Sequence, residues 1–122
     1  MSTIKVDTIK TTSNVEVFTC KAWVNFDGTT NTGGSCTIRA SGNVTSVTDL
    51  STGDYRVNFT TAMADTNYCA VGSTLGSTVA SYATYLNSMG TALSTTSCTV
   101  EVRNSVNDAS TDSDVVCVAV FR

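Results

Sequence analysis

Histidine and proline are both missing from the 122 residues. Without histidine the chain lacks the side chain that titrates near neutral pH, the usual general base and the commonest metal ligand. Ser-His and Cys-His nucleophile arrangements are excluded with it. Charge is scarce too: 7 Lys and Arg stand against 10 Asp and Glu, 14% of the chain in all, for a formal net charge of -3. Nucleic acids and anionic membranes need clustered cations to neutralise phosphate, so neither is an expected partner. No apolar run approaches the roughly 18 residues of a membrane-spanning helix, and the opening MSTIKVDTIK lacks the apolar core of a signal peptide. The expectation is no membrane insertion and maturation in a cytosol. Phosphate-cradling glycine loops of either common pattern are absent. At this length a second full domain is excluded.

Cysteine is present in an odd number. Cys20, Cys36, Cys69, Cys98 and Cys117 contain no C-x-x-C pair, and there is no histidine to complete a zinc site, so no metal ligand set is expected. All five fall in strand-like alternation and read as small buried hydrophobes, with one disulfide or an interchain link as the alternative.

What the chain has in abundance is Thr (23), Ser (15) and Asn (9), which together give a neutral, hydroxyl-rich surface. The apolar residues recur with a period of two, the mark of pleated strands. In 15–26 the alternation sets Phe18, Cys20, Ala22, Val24 and Phe26 on one face, the expected core. Val15, Val17, Thr19, Lys21, Trp23 and Asn25 take the other. Asp27-Gly28 with the following TTNTGG reads as a loop, pairing resuming near Ser35. Cys36, Ile38 and Ala40 alternate with Thr37, Arg39 and Ser41. Segments 43–48 and 55–60 read as a hairpin about the turn at 52–54, with Tyr55, Val57 and Phe59 inward.

Later strands are expected in NYCAVGS, VASYATYLN, TSCTVEVRN and DVVCVAVFR, for eight or nine in all. VVCVAVF is apolar on both alternating faces, which predicts a central strand covered on both sides, one of them by a neighbouring subunit. The expected fold class is all-β: an antiparallel β-sandwich, jelly-roll-like, with an N-terminal extended arm; a small barrel is the other packing considered. Residues 1–14 form the arm and 15–122 the sandwich domain. Ile4, Val6 and Ile9 are the arm's candidate docking residues, open between an ordinary edge strand and a strand that docks on another chain.

No catalytic constellation emerges, so the expectation is a non-enzyme with no catalytic, cofactor or metal residues. The G-x-S-x-G elbow is absent. The eight Asp sit mostly at turns, and Asp108, Asp112 and Asp114 lack the register of a calcium loop. Segment 72–97 places Tyr82 and Tyr85 among small hydroxyl residues, a mixture suited to recognition, for instance of a host surface glycan. The alternative is one tyrosine in the core and the other on a strand face.

KAWVNFDGT at 21–29, IRASGNVTSVTD at 38–49, GDYRVNFTTAMADTNY at 53–68 and the terminal VCVAVFR together resemble a domain of fibre-type virion proteins of tailed bacteriophages, especially those of marine and cyanobacterial hosts. STIKVDTIK is similar to the short segment that often precedes such domains. The pattern often has proline where Ala64 stands here. The resemblance implies a structural protein of the virion, commonly a homotrimer, assembled in the host bacterial cytoplasm with its N-terminal arm on the particle. Its implied partners are other copies and other virion structural proteins, and it carries over no active site. A short tail-fibre component, a capsid decoration protein and a glycan-binding module remain open.

Overall fold

The computed structural model describes residues 2–15, 17–75, 82–86 as backbone, and 93–122. Eight strands lie among them: β1 (Cys20–Thr32), β2 (Ser35–Gly42), β3 (Val44–Ser51), β4 (Asp54–Phe59), β5 (Cys69–Leu75), β6 (Tyr82–Leu86), β7 (Ser97–Asn104) and β8 (Val115–Phe121). They form one sheet in the order β5-β8-β1-β2-β3-β4-β7-β6, with every neighbouring pair antiparallel. The end strands β5 and β6 approach each other, so the sheet is nearly closed. The expected all-β antiparallel sandwich therefore takes a barrel-like form. Its layers are opposite walls of one curled sheet, which leaves few unpaired edges.

Alternation explains the core. Val24 and Phe26 of β1, Val47 of β3, Tyr55 and Val57 of β4, Val100 and Val102 of β7, and Val116 and Val120 of β8 are each at most 1% exposed. Each contributes on the order of 2 kcal/mol of apolar burial. Phe26 and Tyr55 meet edge to face at 5.1 Å, as Phe59 and Tyr68 do at 5.9 Å. The β3–β4 hairpin forms as expected, with Val44 opposite Phe59 and Val47 opposite Val57.

Three expectations are corrected. First, 27–34 is not one loop: β1 runs on to Thr32 through an irregularity after Asp27, and the turn is Gly33-Gly34, both at positive φ. Gly28 serves a different need. A Cβ there would lie 2.4 Å from the Tyr55 hydroxyl oxygen and 2.9 Å from the Ser113 carbonyl, so this glycine lets β1 pass close over a buried tyrosine. The Tyr55 hydroxyl sits 2.8 Å from Asp112 Oδ1 and 3.1 Å from the Gly28 carbonyl. Asp112 Oδ1 also accepts the Gly53 N–H at 2.8 Å, tying the β3–β4 turn to the segment before β8.

Second, Phe18 and Cys20 are exposed, Phe18 by 80%. Strand structure starts at Cys20 rather than Val15. Cys20 faces Phe121, the last residue of β8, so the ladder stops short of Phe18, and the register shifts between Cys20 and Ala22. Ala40 is also exposed, because a register shift pairs Asn25 with Ala40 but Phe26 with Ile38, turning Ala40 outward while Ile38 packs against the core.

Third, only Cys36 and Cys98 are buried; Cys20 and Cys69 are exposed and Cys117 is intermediate. Cys20 and Cys69 flank Phe121 on opposite sides, roughly 10 Å apart across two strand spacings, too far for a disulfide within the chain. Titration of the native chain with a thiol reagent is therefore expected to show two fast groups, Cys20 and Cys69, and a slower Cys117. Cys36 and Cys98 should respond only after unfolding. Five equally slow groups would contradict this placement.

Candidate interaction face

The doubly apolar run VVCVAVF becomes β8, and its two faces meet different fates. Val116, Val118 and Val120 enter the core, whereas Val115, Cys117 and Ala119 are partly exposed and Phe121 is 41% exposed. The strand is central, between β5 and β1, but among the described residues its outer side has no second layer. The central position is as expected; the single chain covers only the inner face, and the outer one is the face for which a neighbouring subunit was expected. The curled sheet has a single interior, so the outward half of an all-apolar strand is left facing solvent.

Register builds a surface around it. Directly opposed residues in an antiparallel sheet share a face. One row is therefore Val71, Ala119, Trp23 and Gly42, the next Ser73, Cys117, Asn25 and Ala40, and a third ends on Cys69, Phe121 and Cys20. Trp23 is 44% and Val71 49% exposed. The indole lies tight against β2, where a Cβ at Gly42 would come 2.4 Å from its Nε1.

Between these rows runs a groove of about 490 Å³ whose lining includes Trp23, Asn25, Val71, Ser73, Cys117 and Ala119, with no charged residue. Asn25 Oδ1 is buried there and has no hydrogen-bond partner, a costly arrangement unless something donates to it. Among the described residues charges stand at the groove's two ends. Lys21 lies beyond Trp23, near Arg122, whose guanidinium grips Asp65 at 2.6 and 2.9 Å. That bond holds the Asp65 carboxyl down at about 2. At the other end is Asp27, whose pKa is lowered chiefly by the Thr29 hydroxyl at 2.6 Å, with Arg39 at 3.1 Å also contributing.

No match is found for this chain among protein-family models, curated proteins or solved structures.

Of the residues singled out from sequence, Ile4, Val6 and Ile9 are 88%, 58% and 50% exposed. A turn at 11–14, with Asn14 at positive φ, folds this segment back, and the Val17 N–H donates to the Ile9 carbonyl at 2.7 Å. Val6 and Ile9 border a small cleft with Val17, Thr19 and Lys21. Tyr82 and Tyr85 lie on β6, opposite Asn104 and Glu101 of β7, and their side chains fall outside the described residues.

Several carboxylates are engaged. Glu101, 4% exposed, accepts from Arg103 at 2.6 Å and Ser110 at 3.2 Å. Asp112 holds Tyr55, and Asp108 lies 3.7 Å from Arg103. Among the described residues no three His, Cys, Asp or Glu side chains gather as a metal site. The outer face itself was half legible: alternation put Trp23 and Asn25 opposite the core, but nothing in the sequence assigned Val71 as their neighbour. That adjacency comes from β5 pairing with β8 across a long connection.

Proposed function

We propose that this chain is a non-enzymatic structural protein of a tailed-phage virion, a short fibre-like component that assembles as a homotrimer and docks through its N-terminal segment. The observation that carries the reading is the uncharged groove on the outer face of β5, β8 and β1, exposed on the same molecule as the apolar residues Ile4 and Val6. Exposed apolar surface of this kind marks a site of association with another protein. The carboxylates of Asp27, Glu101, Asp65 and Asp112 are paired with Arg39, Arg103, Arg122 and Tyr55 and serve cohesion of the fold. The block resemblance to phage fibre domains supplies the setting.

Immunogold labelling of intact virions tests the proposal. Label at the tail is expected, label over the head would make the chain a decoration protein instead, and unlabelled particles would remove the virion reading. In light scattering the purified protein should weigh three times its 12.7 kDa chain mass.

A further inference from the structure

The geometry points to the occupant of the groove: residues 2–9 of a second copy of this chain, laid as an added strand-like segment across the outer face of β8. This rests on the self-assembly reading above and names the surfaces that carry it.

Three observations converge. The first is complementary exposure. Ile4 and Val6 are two residues apart, hence on one side of an extended segment, and are 88% and 58% exposed. The groove that would receive them is likewise mostly apolar, uncharged and open. The second is length. Residues 4–9 span roughly 20 Å when extended, close to the outward row of β8 from Val115 to Phe121. The third is the orphaned acceptor. Asn25 lines the groove and its Oδ1 is buried without a donor; a turn of the amide toward the groove would offer that oxygen to the unpaired backbone N–H groups an extended segment brings.

The chain's own segment does not fill this role. The bond from Val17 N–H to the Ile9 carbonyl and the cleft beside Thr19 and Lys21 hold it off its own groove. One molecule therefore displays both halves of an apolar contact unjoined. Two different patches that fit each other make a head-to-tail contact, and such contacts close into rings when the rotation between copies closes and otherwise run on as filaments. A specific interface buries about 1,200–2,000 Å² in total. A single short segment in one groove supplies only part of that, so every copy both gives and receives an arm.

The test uses the full chain. Ala119→Arg blocks the groove from an outward position, and the pair Ile4→Asp and Val6→Asp removes the arm's apolar contacts. Each is expected to convert the oligomer to a 12.7 kDa monomer in light scattering, with an unchanged circular dichroism spectrum. Val6→Cys, in a Cys20→Ser and Cys69→Ser background, is expected to form a disulfide with Cys117 under mild oxidation, seen as covalent multimers on a non-reducing gel.

An oligomer that survives the arm substitutions but not Ala119→Arg overturns the arm as occupant in favour of face-to-face packing of two copies. Loss with the arm substitutions alone places the arm elsewhere, and a disulfide confined within single chains makes the contact intramolecular; either result overturns the proposal. A wild-type monomer does so as well. Virion labelling is independent of all these outcomes, so the functional reading can stand or fall separately.

Discussion

Gly28→Ala is expected to lower stability by about 2–5 kcal/mol, a large share of the 5–15 kcal/mol typical of a small domain. The new methyl group would lie 2.4 Å from the Tyr55 hydroxyl oxygen, 2.7 Å from its Cζ and 2.9 Å from the Ser113 carbonyl. Tyr55 is fully buried and packs edge to face on Phe26, so the ring has no space into which to retreat. Either β1 lifts from β4 or the tyrosine leaves the core, and both break its hydrogen bond to Asp112. Tyr55→Phe removes only the hydroxyl and should cost less, about 1–2 kcal/mol. Combining the two should cost less than the sum, because part of the clash disappears with the oxygen. Urea unfolding of the three variants measures this, and a Gly28→Ala midpoint equal to the wild type would refute the close-approach account.

The second large effect is with pH. Burial pushes the Cys36 thiol up to about 12 and Cys98 to about 11, from 9.0 for an unperturbed thiol. It also raises Tyr68 to about 12 and, with Asp112 adding to it, raises Tyr55 further. In each case the folded chain keeps its proton to higher pH than the unfolded chain does. The stability these groups contribute is therefore complete below about pH 9 and is lost as pH rises through 9 to 12. Each titrating group adds a slope on the order of 1 kcal/mol per pH unit. The urea midpoint is expected to hold level from pH 7 to 8.5 and fall steeply by pH 10.5. Cys36→Ala with Cys98→Ala should flatten the first part of that fall, leaving the tyrosine part above pH 10. A midpoint unchanged to pH 10.5 would show that these groups are not held as described.

Legibility from sequence varied with the range of the interaction. The β3–β4 hairpin could be read because its turn, its alternation and its inward set Tyr55, Val57 and Phe59 lie within one short stretch. Gly28 could not, since a glycine in a Asp-Gly pair looks the same whether it supplies positive φ or room, and the tyrosine that needs the room is 27 residues away. Phe18 and Cys20 continue the inward alternation of β1, yet whether they are covered depends on where β8 runs out. The cysteines failed similarly: alternation gives two faces but does not say which of them another wall of the barrel will cover.

The sequence by itself determined the all-β class, the positions of most strands and the scarcity of charge, because backbone pleating and composition are local properties. It also exposed an oddity, a terminal strand apolar on both sides. Tertiary structure alone decided that this strand lies between β5 and β1, that its outer half joins Trp23 and Val71 in an uncharged groove, and that residues 2–9 do not line it. The reason is physical: pairing across long connections sets which strands are neighbours, and closing one sheet on itself creates a single interior, so the second apolar face is left on the outside.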